Sequence, residues 1–251
     1  MPRSISVITV VRDRRDSICA TLRSLHSQTH ARIQHIVIDG GSTDGTLDVL
    51  QAHADRIDVL VSEPDGGIYD ALNKGLARVT GDIVGVLHAD DVYANDGVLG
   101  SIADTMAREP LDAVFGDAVF FDRKLPSRMT RRYRSSHFRP ARIGWGWMPA
   151  HPALFVRREV FERVGPYRTD YRISGDFEWI ARAFGSGSLR YRCLPEVLVH
   201  MRSGGISTGG WRNSLLLNRE VMRACRENGI STNWLKILSK YPLKLVEFLQ
   251  P

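Results

Sequence analysis

Cysteine is scarce in this chain: Cys19, Cys193 and Cys225 are odd in number, far apart, and at no paired zinc spacing. Neither a disulfide framework nor a cysteine zinc site is expected, so the thiols read as reduced and structural. Long apolar runs are missing as well. No stretch reaches the length of a membrane span, and the start, MPRSISVITVVRDRR, lacks the apolar core and small-residue cleavage pattern of a signal peptide. The expectation is a chain that begins directly in its fold and stays in the cytoplasm. Two nucleotide signatures are also absent. GGSTDG does not match the dinucleotide pattern GxGxxG, and no GxxxxGKS/T phosphate loop occurs, which removes motif support from NAD-dependent and P-loop ATPase readings.

What is present is ordinary globular material: 251 residues, 43% hydrophobic and 25% charged, enough for one main fold with a small appendage. The net charge of +6, from 34 Lys and Arg against 28 Asp and Glu, favours anionic partners without choosing among them. Much of it is concentrated. Arg123, Lys124, Arg128, Arg131, Arg132, Arg134, Arg139 and Arg142 follow one another with no acid between. That segment reads either as a solvated loop or as a contact for an anionic acceptor or membrane surface. No nucleic-acid module accompanies it, so nucleic acid is not an expected partner.

Strand and helix patterns alternate along the first half. Apolar runs at 5–11, 34–38, 57–61 and 83–87 predict strands, and amphipathic segments at 16–28, 46–54, 68–77 and 95–107 predict helices between them. Such a rhythm implies an α/β fold with a mostly parallel sheet covered by helices. Beyond the strand predicted at 113–121 the alternation loosens. Strands are predicted at 153–156 and 196–200, and helices at 158–164 and 176–183. From about Asn213 the chain reads as two helices broken at Gly229 to Thr232. The second carries Trp234, Ile237, Leu238, Tyr241, Leu245 and Phe248 on one stripe beside Lys236, Lys240 and Lys244, with Pro242 interrupting it. The stripe reads as core or subunit contact, or as a basic amphipathic membrane contact.

In an open parallel sheet, ligands bind beyond the carboxyl ends of the strands. Asp39 ends the strand QHIVI, and Asp90 with Asp91 follows IVGVL, so the two acidic points outline one crevice. Carboxylate oxygens suit a hard divalent cation that bridges a diphosphate. Read alone, Asp90 and Asp91 are equally compatible with an exposed turn.

Four segments together resemble the family 2 inverting glycosyltransferases with the GT-A fold: SVITVVRDR, HIVIDGGSTDGTLDVL, SEPDGGIYDALNKGLARVTGDIVGVLHADD and ISGDFEW. The resemblance spans residues 4 to 208, with the firmer motifs before Tyr93. It implies a GT-A, Rossmann-like, mostly parallel sheet flanked by helices. Residues 1–210 would be the catalytic domain, 1–120 on the nucleotide-sugar side and 121–210 on the acceptor side, with 211–251 a C-terminal helical extension. On the donor side it implies Thr9, Val10 and Val11 at the nucleotide, Asp39 on the base, and Ser42 and Asp44 in the adjoining turn. Asp65, Tyr69, Asp70, Asn73 and Lys74 would line the donor pocket, although Tyr69 and Asn73 also read as helix packing and capping. The DXD-like element is HADD here. His88 stands where an aspartate is usual, and reads as a ligand neighbour or as a strand-end histidine held locally.

The resemblance makes Asp90 the principal carboxylate for Mn²⁺ or Mg²⁺, with Asp91 assisting and His200 a further candidate after loop closure at Gly204 and Gly205. Asp176 in SGDFEW matches the acceptor-side base, with Glu178 as its substitute, and His151, Glu178 and Trp179 fall on the acceptor side. From the residues alone, Asp176 is as well read as a helix cap. No QxxRW element is present, so the implied activity is a single transfer from a nucleoside diphosphate sugar to a hydroxyl of a glycan or lipid-linked acceptor. The family's setting is cell-envelope polysaccharide and glycolipid assembly. An anionic membrane surface on the cytoplasmic side and a second copy of the chain are further candidate partners. The alternatives are a sugar-nucleotide-forming nucleotidyltransferase and a noncatalytic nucleotide-sugar-binding protein.

Overall fold

The computed structural model describes residues 3–122, 128–204 and 210–239. Its central strand, β1 (Ile5–Val11), is buried at every position, as a strand covered on both faces must be. Parallel partners flank it: β2 (Ile33–Asp39) on one side and β4 (Ile83–Val86) on the other, with β3 (Val59–Ser62) beyond β2. Between them run α1 (Arg15–His26), α2 (Thr46–Gln51) and α3 (Ile68–Leu76). The remaining elements are β5 (Val92–Tyr93), α4 (Val98–Arg108), β6 (Ala113–Phe121), β7 (Met129–Tyr133), β8 (Leu154–Arg157), α5 (Arg158–Val164), α6 (Gly175–Phe184), β9 (Tyr191–Arg202), α7 (Trp211–Glu227) and α8 (Trp234–Leu238).

The sheet order is β3-β2-β1-β4-β8-β6-β9-β5, with β7 paired to β6. The expected α/β architecture stands, and its parallel character is strongest in the first half. β8 runs antiparallel to both β4 and β6, and β7 and β5 are antiparallel to their neighbours. The physical reason lies in the connection from β6 to β8. It contains β7 and short 3₁₀ turns but no crossover helix, and without a crossover a returning strand pairs antiparallel. The basic segment is therefore partly a strand rather than a loop. Its Arg123 and Lys124 lie outside the described residues, as do Gly205 and the stripe residues from Lys240 onward.

Side-chain alternation along β1 builds two cores. Ile8 and Val10 pack with α3, α6 and α7, while Ile5 and Val7 face α4 and the end of α1, and Val11 faces α1 and α2. α3 approaches very closely: a Cβ on Gly75 would stand 2.5 Å from Ile8 Cγ2. Val221, Met222, Ala224 and Cys225 of α7 and Ile237 of α8 join the same core as α6, so the C-terminal helices pack onto the sheet-covering layer.

One buried histidine gives this core a pH dependence. His35 in β2 meets Thr9 Oγ1 through Nε2 at 3.1 Å and His26 through Nδ1 at 3.4 Å. Burial, reinforced by His26, holds its imidazole down at about 3. Between that value and the ordinary 6.5 the unfolded chain carries a proton here and the folded chain does not, so this group lowers stability as pH falls. Urea unfolding from about pH 6 to about pH 4 should show wild type losing roughly 1.4 kcal/mol per pH unit more than His35→Gln. Coincident slopes would mean that His35 takes up its proton in the folded state.

Candidate active site

β1, β2 and β4 are parallel, so their carboxyl ends and the loops that follow open on one edge of the sheet. A cavity of about 480 Å³ lies there. Val10 and Val11 at the end of β1, Asp65 and Tyr69 around the start of α3, His88, Asp90 and Asp91 beyond β4, His151, and Asp176 in the first turn of α6 all line it. The structure thus brings together residues up to 194 positions apart, from Val10 to Gly204, in one space.

The HADD turn is closed by the Asp91 N–H donating to the His88 carbonyl at 2.9 Å. Asp90 Oδ2 accepts from Arg14 Nε at 2.9 Å, an ion pair across the mouth of the β1 loop. Asp91 is buried, and its Oδ2 has no hydrogen-bond partner among the described residues. Burial, together with the charge of Asp90, pushes the Asp91 carboxyl well above the usual carboxylate range. A buried, unpartnered carboxyl oxygen next to a second carboxylate requires a proton or a cation. This donor set fits a hard divalent ion that takes two protein carboxylates and completes its shell from phosphate and water. Among the described residues, no three His, Cys, Asp or Glu side chains already converge as a ready-made ligand cluster.

Asp176 sits where α6 begins. Its Oδ1 accepts from the Phe177 N–H at 2.8 Å and lies 3.3 Å from the Tyr69 hydroxyl, which also reaches the Ile173 carbonyl at 2.7 Å. Oδ2 makes no hydrogen bond among the described residues, and Asp176 lines the cavity. Burial raises the Asp176 carboxyl above its ordinary range. Only glycine allows this approach: a Cβ on Gly175 would stand 2.8 Å from the Tyr69 ring.

His88 shares the cavity lining with Asp90 and Asp176 and stacks on His151 with ring centroids 5.9 Å apart. His151 Nε2 meets the Tyr167 hydroxyl at 3.0 Å, whereas His88 Nδ1 is buried without a partner among the described residues. Burial brings both imidazoles down to about 4, His88 also through its neighbour His151, so both are neutral near pH 7.

Of the other expected donor-side residues, Thr9, Asp39, Ser42, Asp44, Asp70, Asn73 and Lys74 lie outside the cavity lining, and Asp65 is part of it. Asp39 is fully buried, with its carboxylate accepting from Ser42 Oγ and, at 2.6 Å, from Ser62 Oγ. Thr9 is buried against His35. Asp44 caps the next turn through the Thr46 N–H at 2.9 Å, and the Thr46 hydroxyl holds its carboxyl below the usual range. Asp65 accepts from the Gly67 N–H at 2.9 Å, and Asp70 from the Gly66 N–H at 3.0 Å. Lys74 pairs with Glu63 at 2.8 Å, and Asn73 brackets Tyr167 through both its amide oxygen and nitrogen.

Three expected residues turn away from the cavity. Trp179 is completely buried in the core, its indole N–H on the Gly165 carbonyl at 2.9 Å. Glu178 is buried one position earlier and pairs with Arg182 at 3.0 Å. Glu178, two positions on from Asp176, is rotated to the opposite side of α6, whereas Trp179, three positions on, lies nearly one turn further along the helix, in the core. His200 is likewise displaced. Alternation along β9 gives Met201 to the cavity and sets the His200 ring edge-on to Phe121 at 4.9 Å.

Arg12, Arg14, Arg172 and Arg202 also line the cavity, and the residue-by-residue sequence reading had not singled them out. A signal did exist, since each stands within or beside a motif in VRDRR, YRISGD and HMRSGG. These four guanidinium groups share the lining with the carboxyls of Asp65, Asp90, Asp91 and Asp176 and are donors suited to a diphosphate.

The family model for glycosyl transferase family 2 matches residues 6–165. A PGL/p-HBAD biosynthesis glycosyltransferase of Mycobacterium bovis is 32% identical over 193 residues, covering 75% of this chain and 73% of that protein. Glycosyltransferase AglE of Haloferax volcanii is 28% identical over 192 residues, covering 73% of this chain and 62% of its own. Among solved structures, S. aureus TarS 1-349 in complex with UDP-GlcNAc superposes with a TM-score of 0.70 at 16% identity, over 98% of this chain and 71% of that one. The mannosyltransferase PcManGT from Pyrobaculum calidifontis, in complex with GDP-Man and Mn²⁺, gives 0.64 at 20% identity, over 89% and 65%. At such identities these structures share the GT-A fold with this chain.

Proposed function

Because the chain belongs to glycosyl transferase family 2, we propose that this glycosyltransferase moves a single sugar from a nucleoside diphosphate sugar to a hydroxyl of a glycan or glycolipid, inverting the anomeric centre. The observation that carries the reading is Asp176, whose Oδ2 makes no hydrogen bond among the described residues, lining the same cavity as the Asp90–Asp91 pair and His88. A base on one side of the sugar and cation-ready carboxylates on the other are what in-line displacement requires.

In the proposed reaction the acceptor hydroxyl gives its proton to Asp176 Oδ2 while its oxygen forms the new bond to the anomeric carbon. The bond from that carbon to the diphosphate oxygen breaks, and the electron pair leaves with the nucleoside diphosphate. Asp90 and Asp91 would hold Mn²⁺ or Mg²⁺, which when bound neutralises the departing diphosphate. Arg12, Arg14, Arg172 and Arg202 surround the same space and add cationic donors for it. Asp39, buried with Ser42 and Ser62, belongs to the base-binding end, and Val10 and Val11 to the wall beside it. Neutral His88 and His151 would contribute shape and hydrogen bonding without charge.

The proposed division of the chain keeps 1–120 for the donor, 121–210 for the acceptor and 211–251 as a helical extension. The M. bovis relative's role in PGL/p-HBAD biosynthesis supports a lipid-linked acceptor. Leu235 is 82% exposed, and Trp234 and Leu238 are exposed beside Lys236, which supports peripheral contact with an anionic membrane surface on the cytoplasmic side. Association of two copies is a second use for the same surface. No helix among the described residues is long and apolar enough to cross a membrane.

Calorimetry against UDP-, GDP- and dTDP-sugars, each with Mn²⁺ and with chelator, tests this reading without knowledge of the acceptor. One donor class is expected to bind, roughly 5- to 150-fold more tightly with the metal. Turnover should release nucleoside diphosphate and no pyrophosphate, which separates transfer from nucleotidyl chemistry. Folded protein that binds no donor in the panel would sink the proposal.

A further inference from the structure

Glu220 lies in the middle of α7, beyond the span matched by the family model, and is only 8% exposed. Its carboxylate accepts three backbone N–H groups from successive residues. Arg172 donates to Oε1 at 2.8 Å, and Ile173 and Ser174 donate to Oε2 at 2.9 Å and 2.8 Å. Three consecutive amides turned toward one point form a concave anion nest, and here the protein's own carboxylate fills it. The Ser174 side chain makes no cap bond to α6, and its hydroxyl donates instead to the Leu217 carbonyl of α7 at 3.3 Å.

Two residues of the clamped segment, Arg172 and Ile173, line the cavity, and the third leads to Asp176. The Ile173 carbonyl accepts from Tyr69, and Ser174 leads directly into Gly175 and Asp176. Glu220 itself does not line the cavity. We propose that Glu220 is a positioning residue for sugar transfer: it grips the 172–174 backbone from behind and thereby sets Asp176 and Arg172 in the cavity. This rests on the reading of Asp176 as the base. It also gives the C-terminal helix a part in the reaction, since α7 supplies the grip.

Glu220→Gln tests it, because the amide keeps the size of the carboxylate but turns an N–H₂ donor toward N–H groups that need an acceptor. The assay is acceptor-free release of nucleoside diphosphate from UDP-N-acetylglucosamine or GDP-mannose with Mn²⁺, alongside calorimetry for donor affinity. The variant is expected to lose roughly 10- to 100-fold in kcat, as for a small misplacement of a reacting group. Donor Kd is expected to weaken by less than the loss in kcat, since Arg172 is one of four cavity arginines and the β1 and α3 walls are untouched. Val221→Ala, which thins the core side of the same helix, should lower Tm and leave kcat unchanged below its unfolding transition.

Hydrogen exchange needs no donor and covers a variant that fails to fold. In wild type the amides of Ile173 and Ser174 should be as protected as those of α6, and in folded Glu220→Gln they and the Asp176 amide should lose protection together. Free exchange of the 173 and 174 amides in wild type, or unchanged kcat in Glu220→Gln, overturns the inference. So does an equal loss of kcat in Val221→Ala. Asp176→Asn measured in parallel separates the two claims: if it retains turnover, the base reading fails and this one with it. If it abolishes turnover while Glu220→Gln does not, only the positioning role is lost.

Discussion

Asp176→Asn is expected to lower kcat about 100- to 10,000-fold while leaving donor affinity within a few-fold, because it removes a proton acceptor and little else. The substitution keeps the shape at the start of α6 and can still accept from the Phe177 N–H, as Oδ1 does at 2.8 Å. What disappears is the basicity of Oδ2. Burial raises this carboxyl above the ordinary carboxylate range, which moves its basicity toward neutral pH where a general base is effective. The sign of the pH effect follows. The base acts ionised, so kcat falls as pH drops through its raised pKa, and the acid limb should sit above that of an exposed aspartate. Donor titration calorimetry with a pH series of nucleoside diphosphate release measures both halves. A variant that binds donor normally and keeps kcat within about tenfold of wild type would end the assignment of Asp176 as base.

The second large effect is expected at the paired carboxylates. Asp90→Ala should abolish the difference in donor affinity between Mn²⁺ and chelator, with a loss of about 100-fold in the metal-supported binding. Asp91 alone cannot replace it, because Asp91 is buried and its carboxyl is pushed toward the protonated form. The Arg14 ion pair at 2.9 Å introduces a second explanation that needs its own control. If Asp90 serves only to anchor Arg14, then Arg14→Met reproduces the Asp90→Ala phenotype. If Asp90 faces the metal, Arg14→Met instead leaves metal dependence in place, since removing the guanidinium exposes more negative charge to the cation. Electron paramagnetic titration of free Mn²⁺ with each variant, with and without donor, distinguishes these outcomes.

The two predictions concern different ends of one bond change, and the neutrality of His88 links them. This histidine lines the same cavity as Asp176 and Asp90, and burial keeps its imidazole at about 4. A positive charge there would stabilise the Asp176 carboxylate and lower its basicity. At neutral pH the site therefore holds its cationic character in the four arginines at its edge.

Much of this was local enough to be legible in the sequence. The apolar runs that became β1, β2 and β4 are buried on both faces, so their composition alone separates them from the helices between. Asp39 and Asp90 follow such runs directly, and a residue that ends a parallel strand is delivered to the ligand-binding edge whatever else the fold does. The mixed half of the sheet was less visible. β5 is two residues long, and β7 is a run of MTRRY with no buried position, so neither carries an apolar alternation.

The sequence by itself determined which acids stand at the strand ends and that helices must cover a buried sheet, because both follow from hydrophobic period and chain order. Only the tertiary structure decided which face of an element meets the cavity. Two positions along α6 separate Asp176 at the cavity from buried Glu178, and one strand position separates Met201 from His200. It also decided the long-range partners, Arg14 with Asp90 and Glu220 with the 172–174 amides. Those pairings join residues 76 and up to 48 positions apart. They depend on how layers dock, a geometry that no local period encodes.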